Sequence, residues 1–191
     1  MGRSHRMTII RRLLSRLSRD RRGVGGVEFA LVAPVLIMAY IGAFELSVGL
    51  NVVRKVARAS SAVADLVSQE KSVDTVYLDS MNNVAESILA PYAGTDYTLK
   101  ITGIQVTGTT TGTVLWSRDQ GGGTPYAANS TTTVPSELDA VNAFVVRTEL
   151  VVPHELMLFS PDLSSSVSTL DLSKTSYYRQ RSGTRIECTG C

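Results

Sequence analysis

The sequence has few of the side chains that carry catalytic chemistry. Its 191 residues include two histidines and two cysteines. His5 lies near the N-terminus, and His154 is followed by Glu155 but has leucine at position 158, which excludes the zinc-protease motif His-Glu-x-x-His. The serines have no base beyond His154, which we expect at a strand end or a surface turn. We therefore predict a protein with no catalytic residue, no metal and no cofactor.

A phosphate-binding loop is lacking as well. Residues 121–124 read GGGT, but the Gly-Lys-Ser/Thr ending of such a loop is missing and no helix clearly follows. The wider stretch 119–137 is rich in Gly, Thr, Ser, Asn and Pro. This composition predicts an exposed loop that buries little.

The two cysteines form one pair, Cys188 and Cys191, in the sequence CTGC. Such a pair can be a redox centre, half of a zinc site or a small disulfide ring. A redox centre normally sits at a helix N-terminus, and a zinc site needs two more ligands; the sequence offers neither. We predict a disulfide in an oxidising compartment, with an envelope thiol oxidoreductase as the rival hypothesis.

Positive charge is concentrated at the N-terminus, next to a long apolar run. Residues 1–22 hold eight arginines and one acid, an excess of +7, which leaves −5 of the overall +2 for the rest of the chain. The apolar run covers residues 29–44 and reaches Val53 if three polar residues are included. At 1.5 Å per residue, its 25 residues give about 37 Å, enough to cross a hydrocarbon core of about 30 Å.

The run is longer than the apolar part of a secretory signal peptide, and no A-x-A cleavage site follows it. Because the arginines lie mainly on one side, we predict a single-pass anchor with the N-terminus in the cytoplasm and the C-terminal bulk outside. Within the anchor, Glu28 and Glu45 place carboxylates at the two ends of the apolar run. Ionisable groups in such a position are functional candidates by default.

The remaining pattern predicts an α+β fold. Apolar spacings of three and four continue the anchor helix to about residue 68, and a second helix is predicted over 73–89, capped by Asp74 and ended by Pro91. Its predicted apolar face includes Val73, Val76 and Tyr77. Strand-like runs at 96–107, 112–119 and 142–153 predict an antiparallel sheet of three to five strands, to which 166–172 and 176–181 could add edges.

We therefore predict a long N-terminal helix, transmembrane in its first half, followed by a small domain with an antiparallel β-sheet. The predicted parts are a basic cytoplasmic leader (1–23), a transmembrane helix (24–53), an extracytoplasmic helical region (54–91) and a β-rich extracytoplasmic domain (92–191) that includes the exposed Gly/Thr/Ser loop.

Residues 21–45 read RRGVGGVEFALVAPVLIMAYIGAFE. A glycine, four residues and then Glu-Phe ahead of an apolar helix resembles the processing motif of type IV prepilins. The whole stretch is similar to the TadE-like family, pseudopilin-like minor proteins of the bacterial tight-adherence (Flp) pilus system. Residues 146–163 and 177–181 resemble the strand and Pro-aromatic region in the outer part of that family.

The resemblance implies cleavage by a prepilin peptidase between Gly23 and Val24. It also implies that Glu28, which Phe29 follows, pairs inside the membrane with the new N-terminal amine of a neighbouring subunit. Pro34 would kink the membrane helix because it removes one backbone hydrogen bond.

For Glu45 at the outer end of the run we predict a carboxylate at the lipid headgroups. The function implied is a minor structural or assembly protein of a Flp-type pilus, acting in pilus biogenesis and adhesion. Its partners would be the prepilin peptidase, other pilins and pseudopilins, the assembly platform and the inner membrane, with no nucleic acid. The protein would remain in the bacterial inner membrane, with its C-terminal domain in the periplasm, or enter the pilus. The alternative is an uncleaved, membrane-anchored envelope binding module.

Overall fold

The computed structural model describes residues 23–92, 96–138, 140–155, 169–181 and 183–191. The predicted leader, apart from Gly23, lies outside the described residues, as do residues 156–163 of the outer-part resemblance. The chain divides into two compact units, one ending at Phe44 and one covering Glu45–Cys191. The predicted α+β fold is confirmed: a long apolar helix precedes a domain with a curled antiparallel sheet.

The first helix, α1 (Val24–Gln69), carries both the apolar run and the amphipathic segment that follows it. In its second half, buried residues recur at spacings of three and four, as the sequence predicts. They include Val52, Val56, Ala59, Val63 and Val67, each at most 1% exposed. This stripe forms part of the hydrophobic core of the domain.

The second helix, α2 (Thr75–Leu89), begins two residues later than predicted. Asp74 is its N-cap, as expected, because an Asp74 Oδ1 atom accepts a hydrogen bond from the Tyr77 amide at 2.7 Å. Val73, the predicted first residue, instead lies in a short strand, β1 (Ser72–Asp74).

The predicted apolar face of α2 is only partly correct. The helix buries Leu78, Met81, Ala85 and Leu89, whereas Val76 is 75% exposed. The four buried residues follow one another at spacings of three and four, so they form the stripe that a helix presents to its core. Val76 lies two residues before Leu78, which places it on nearly the opposite side of the helix from this stripe.

Five antiparallel strands form the main sheet, at the upper end of the predicted number. In spatial order they run β4-β3-β2-β5-β6, and a separate parallel pair joins β1 to β7. The strands are β2 (Thr98–Gly108), β3 (Thr111–Asp119), β4 (Thr131–Thr133), β5 (Phe144–Glu155), β6 (Thr169–Arg179) and β7 (Glu187–Thr189). The described parts of the two edges predicted at 166–172 and 176–181 lie in one strand, β6, and residues 166–168 lie outside the described residues.

One face of the sheet packs against the helices around a tryptophan. The Trp116 ring lies 6.3 Å from that of Phe144, and a side chain at Gly103 would overlap both rings. Glycine is therefore required at 103 by close packing rather than by a turn. The Trp116 Nε1 atom donates a hydrogen bond of 2.8 Å to the carbonyl of Ile186, which is fully buried.

The opposite face is covered by the stretch 119–137, so the prediction that this loop buries little is wrong in part. Val134 is 3% exposed and belongs to a second apolar cluster, whose other buried members are Ile104, Val106, Ala143 and Val145. The loop also contains β4 and a short 3-10 helix at Ser136–Leu138. Val134 thus packs this polar stretch against the sheet, in addition to the pairing of β4 with β3.

Lys55 links α1 to the end of α2. Its Nζ atom donates hydrogen bonds to the carbonyls of Ile88 (3.0 Å) and Ala90 (2.6 Å). The last carbonyls of a helix lack partners within the helix, and the negative end of the helix dipole favours a cation there. Lys55, which follows the apolar run in the sequence, thus stabilises the C-terminal end of α2.

Tyr97 predicts a loss of stability in alkaline solution. The side chain is 4% exposed, and its hydroxyl donates to the Asn82 carbonyl and to Glu86 Oε1, both at 3.3 Å. Burial, and secondarily Glu86, raise the pKa of Tyr97 to about 12. Because the folded-state pKa exceeds the unfolded one, this stabilisation is complete below about pH 10 and is lost between about pH 10 and 12, where each pKa unit corresponds to about 1.4 kcal/mol.

We expect the urea midpoint of the full chain in detergent to fall more steeply between pH 9 and pH 11 than that of Tyr97→Phe. The Phe variant is less stable at pH 7 because it lacks the two hydrogen bonds, so the comparison concerns the slopes. Equal slopes would show that Tyr97 ionises with its ordinary pKa.

Candidate functional site

The apolar half of α1 exposes its side chains along its whole length. Every large apolar side chain between positions 24 and 44 is exposed, and the most apolar 18-residue window of the helix has a mean hydropathy of 2.1 with none of it buried. An apolar surface of this extent requires lipid or other protein around it. Among the described residues, α1 is the one helix long and apolar enough to cross a membrane, which suggests single-pass anchoring.

The first turns of α1 bring four of the predicted site residues together. Gly23 directly precedes the helix, Val24 is its first residue, and Glu28 lies four residues later, about one turn along the same face. Glu28 and its neighbour Phe29 are both exposed. Glu28 is also the only ionisable residue between positions 23 and 39.

Pro34 lies inside α1, and the helix continues through it. Proline has no backbone N–H, so the carbonyl four residues earlier, at Ala30, lacks its usual donor. The kink predicted at Pro34 stays a prediction. Glu45 is half-buried and is the first residue of the second unit; its predicted position at the lipid headgroups also stays a prediction.

The C-terminal segment is held to the domain by a strand pair. The structure joins Cys188 to Cys191 in a disulfide, and Cys188 lies opposite Val73 where β7 pairs with β1. Ile186, just before β7, is fully buried. The oxidising compartment proposed for this disulfide stays a prediction.

A polar cluster on the second face of the sheet was not predicted from the sequence. Arg147 is 6% exposed; its Nη1 atom donates to Thr132 Oγ1 at 2.8 Å, and its guanidinium lies 4.5 Å from the centre of the Tyr126 ring. The Tyr126 hydroxyl donates to Glu149 Oε2 at 2.9 Å. Burial and the bond to Glu149 raise the pKa of Tyr126. The cluster fastens the 119–137 stretch to β5.

The sequence predicts the β5 part of this cluster but not the loop residues that join it. Arg147 and Glu149 alternate with Val146, Thr148 and Leu150, which predicts a polar face on β5. The pattern does not show which part of the chain covers that face.

The described residues contain no group of three or more His, Cys, Asp or Glu side chains that could hold a metal ion. His154 lies near the end of β5, opposite Leu170 of β6. The described residues thus form a helix of membrane-spanning length and a folded domain. On the second face of the sheet, Arg147, Glu149 and Tyr126 interact with one another.

Comparison with known proteins gives one match. The family model described as TadE-like protein matches residues 23–65, from the glycine before α1 into the buried half of that helix. No curated protein and no solved structure matches the chain. The resemblance predicted for residues 146–163 and 177–181 lies beyond the matched range and stays a prediction. The chain thus carries a TadE-like segment at residues 23–65, and the match supports a protein associated with the Tad (Flp) pilus.

Proposed function

We propose that this chain is a minor, pseudopilin-like structural protein that helps to assemble a Flp-type pilus and so contributes to adhesion. The observation that supports the proposal is that three features begin at or just after Gly23. The family match begins at this residue, α1 begins at the next one, and the only carboxylate of the first half of the apolar helix follows one turn later.

In this proposal the apolar half of α1 crosses the inner membrane once, within the predicted range 24–53, and the span ends before Val52, which lies in the core of the domain. The arginines of the leader hold the N-terminus in the cytoplasm, and the domain, which includes the second half of α1, lies in the periplasm. The partners are a prepilin peptidase, other pilins and pseudopilins, and the proteins of the assembly platform.

The peptidase would cut between Gly23 and Val24. Glycine has no Cβ, so it allows the backbone to lie extended in a protease cleft. A Cβ added at Gly23 would meet no atom of the described residues within 4 Å, so Gly23→Ala leaves their fold undisturbed. A loss of processing in that variant would therefore reflect recognition by the peptidase.

Cleavage would create an ammonium group at Val24, and Glu28 supplies the nearest carboxylate of the membrane segment. A charge buried in a bilayer without a partner is strongly unfavourable, and pairing with a neighbouring subunit offsets part of that cost. The pair would also fix the register between neighbouring helices, because helices displaced by a turn could not form it.

The test is the N-terminal residue and the intact mass of the protein isolated from membranes of its own host, with Gly23→Ala in parallel. We expect a mature chain that begins at Val24 and an uncut chain in the variant. The processing of the host's major pilin in the same cells is the control. An intact leader on this chain beside a normally processed major pilin would refute the cleaved-pseudopilin proposal and favour an uncleaved envelope binding module.

A further inference from the structure

The strand β6 forms one edge of the main sheet, and it is much longer than the strand at the other edge. β6 has eleven residues and β4 has three. β6 pairs with β5 in unbroken register from Arg179 to Thr169, and in the described part of the chain it has no second neighbour. Sheet edges in proteins are usually protected by charged side chains, proline, a bulge or a covering segment. β6 contains no proline and its pairing shows no bulge, so its protection in the described part of the chain is limited to the charged residues Asp171, Lys174 and Arg179.

The hydrogen bonding identifies which residues of β6 face outwards. The Gln180 amide donates to the Phe144 carbonyl of β5 at 2.9 Å, so even-numbered residues direct their backbone groups towards β5. The odd-numbered residues therefore direct theirs to the open edge. Arg181 follows the same alternation: it is odd-numbered, and its amide points away from β5 and donates a hydrogen bond of 3.3 Å to the carbonyl of Ser68 in α1. The open part of the edge thus ends where α1 meets it, at Arg181.

The side chains along this edge are accessible to a partner. Asp171, Ser173, Lys174 and Thr175 are all exposed. In contrast, the central strand β2 is buried over most of its length. The outward backbone groups of residues 171, 173, 175 and 177 form a row with the spacing of a β-ladder.

One row of α1 flanks the open edge and is basic. Ser61 lies 3.2 Å from Ser176 of β6 through their hydroxyls, and Asp65 forms an ion pair with Arg181 at 2.5 Å. Arg54 lies four residues before Arg58, and Arg58 lies three residues before Ser61. The two arginines are therefore on the same row of the helix as Ser61 and Asp65. Both arginines are exposed, and no carboxylate of the described residues forms an ion pair with Arg54, Arg58 or Lys174.

From this geometry we infer that the open edge of β6 is a docking site for an acidic, extended segment of another protein. The segment would add a sixth strand to the sheet through the outward amides and carbonyls, the mode known as β-augmentation. Its carboxylates would lie on the α1 side, next to Arg54, Arg58 and Lys174. This inference does not depend on cleavage of the leader.

A synthetic peptide tests the inference without knowledge of the natural partner. The probe is the nine-residue peptide Thr-Glu-Val-Glu-Thr-Glu-Val-Glu-Thr, which places all its carboxylates on one side of a strand, added to the full chain in detergent. We expect it to slow hydrogen exchange at the amides of Ser173, Thr175 and Tyr177. The same peptide with alternate amides methylated, and one with lysine for glutamate, should bind at least tenfold more weakly.

Matched variants separate edge pairing from general attraction. Thr175→Pro removes an outward N–H without removing a bond to β5, so it should weaken peptide binding at least tenfold. Thr175→Ala, which keeps that N–H, should stay within about twofold of the native chain. Arg54→Glu with Arg58→Glu should also weaken binding at least tenfold, and added salt should reduce the native affinity towards that of the double variant.

Three results would overturn the inference. The first is protection of the edge amides in the free chain, which would mean that the chain or a second copy already covers the edge. The second is that the acidic peptide at millimolar concentration does not slow hydrogen exchange at the edge amides, or that it binds the Thr175→Pro variant as tightly as the native chain. The third is unchanged peptide binding in the double arginine variant together with weaker association of that variant with anionic lipid vesicles, which would make the basic row a lipid contact.

Discussion

Trp116→Ala is expected to destabilise the folded domain by about 3–5 kcal/mol, the range for large-to-small changes of buried aromatic residues. The ring packs against Phe144 and against the backbone at Gly103, so its loss leaves a cavity in the centre of the core. The buried carbonyl of Ile186 also loses its donor. Since small domains are stable by about 5–15 kcal/mol in total, the variant would lose a large fraction of the free energy of unfolding.

Urea unfolding of the full chain in detergent, followed by far-ultraviolet circular dichroism, measures this effect. Trp116→Phe separates its two contributions: it keeps most of the apolar volume but leaves the carbonyl unpaired, which costs about 1–3 kcal/mol. Val141→Ala, at a position 60% exposed, is the control and should change stability by less than about 0.5 kcal/mol. A loss below about 1 kcal/mol in Trp116→Ala would contradict the central position of this residue in the core.

Glu28→Gln is expected to abolish assembly of the pilus in the native host while leaving the amount of membrane-bound protein unchanged. Under the proposed function the substitution leaves the ammonium of Val24 in a neighbouring chain without a partner inside the membrane. Removing one partner of a buried ion pair costs about 3–5 kcal/mol, which is more than a hundredfold in an association equilibrium. Because glutamine has nearly the same shape, the loss would follow from charge rather than from packing.

Counting surface pili by electron microscopy, with the mass of the mature chain measured in the same cells, checks this prediction. Glu28→Asp retains a carboxylate on a shorter side chain and should restore part of the assembly. Glu45→Gln is the matched control, because under the proposed function Glu45 lies at the lipid headgroups, where a hydrated amide could replace its carboxylate. Normal piliation in Glu28→Gln cells whose chain begins at Val24 would exclude the proposed pairing.

Local sequence patterns predicted the elements well but not the contacts between them. The stripe from Val52 to Val67 follows from helical spacing alone, and four of the five strands of the main sheet follow from β-rich runs, whereas β4 lies in the stretch predicted to be an exposed loop. In contrast, the pairing of Val73 with Cys188 joins residues that are far apart in the sequence. No local pattern contains that information, and for this reason the start of α2 was placed two residues too early.

The site shows the same division. Gly23, Val24 and Glu28 lie close together at the start of α1 because they are near one another in the sequence, so a motif could identify them. The polar cluster around Arg147 depends on Tyr126 and Thr132, which a long loop brings to β5. The open edge of β6 depends on the spatial order of strands, which a single sequence does not contain.

The pairing of β7 with β1 also has a consequence for biosynthesis. Residues 72–74 leave the ribosome long before residues 187–189, and Trp116 finds its hydrogen-bond acceptor only when Ile186 arrives. If α1 anchors the chain while the rest crosses the membrane, the domain cannot complete its core until residues 186–189 have crossed as well. Until then the crossing chain would expose apolar surface, which makes partly folded chains prone to aggregation.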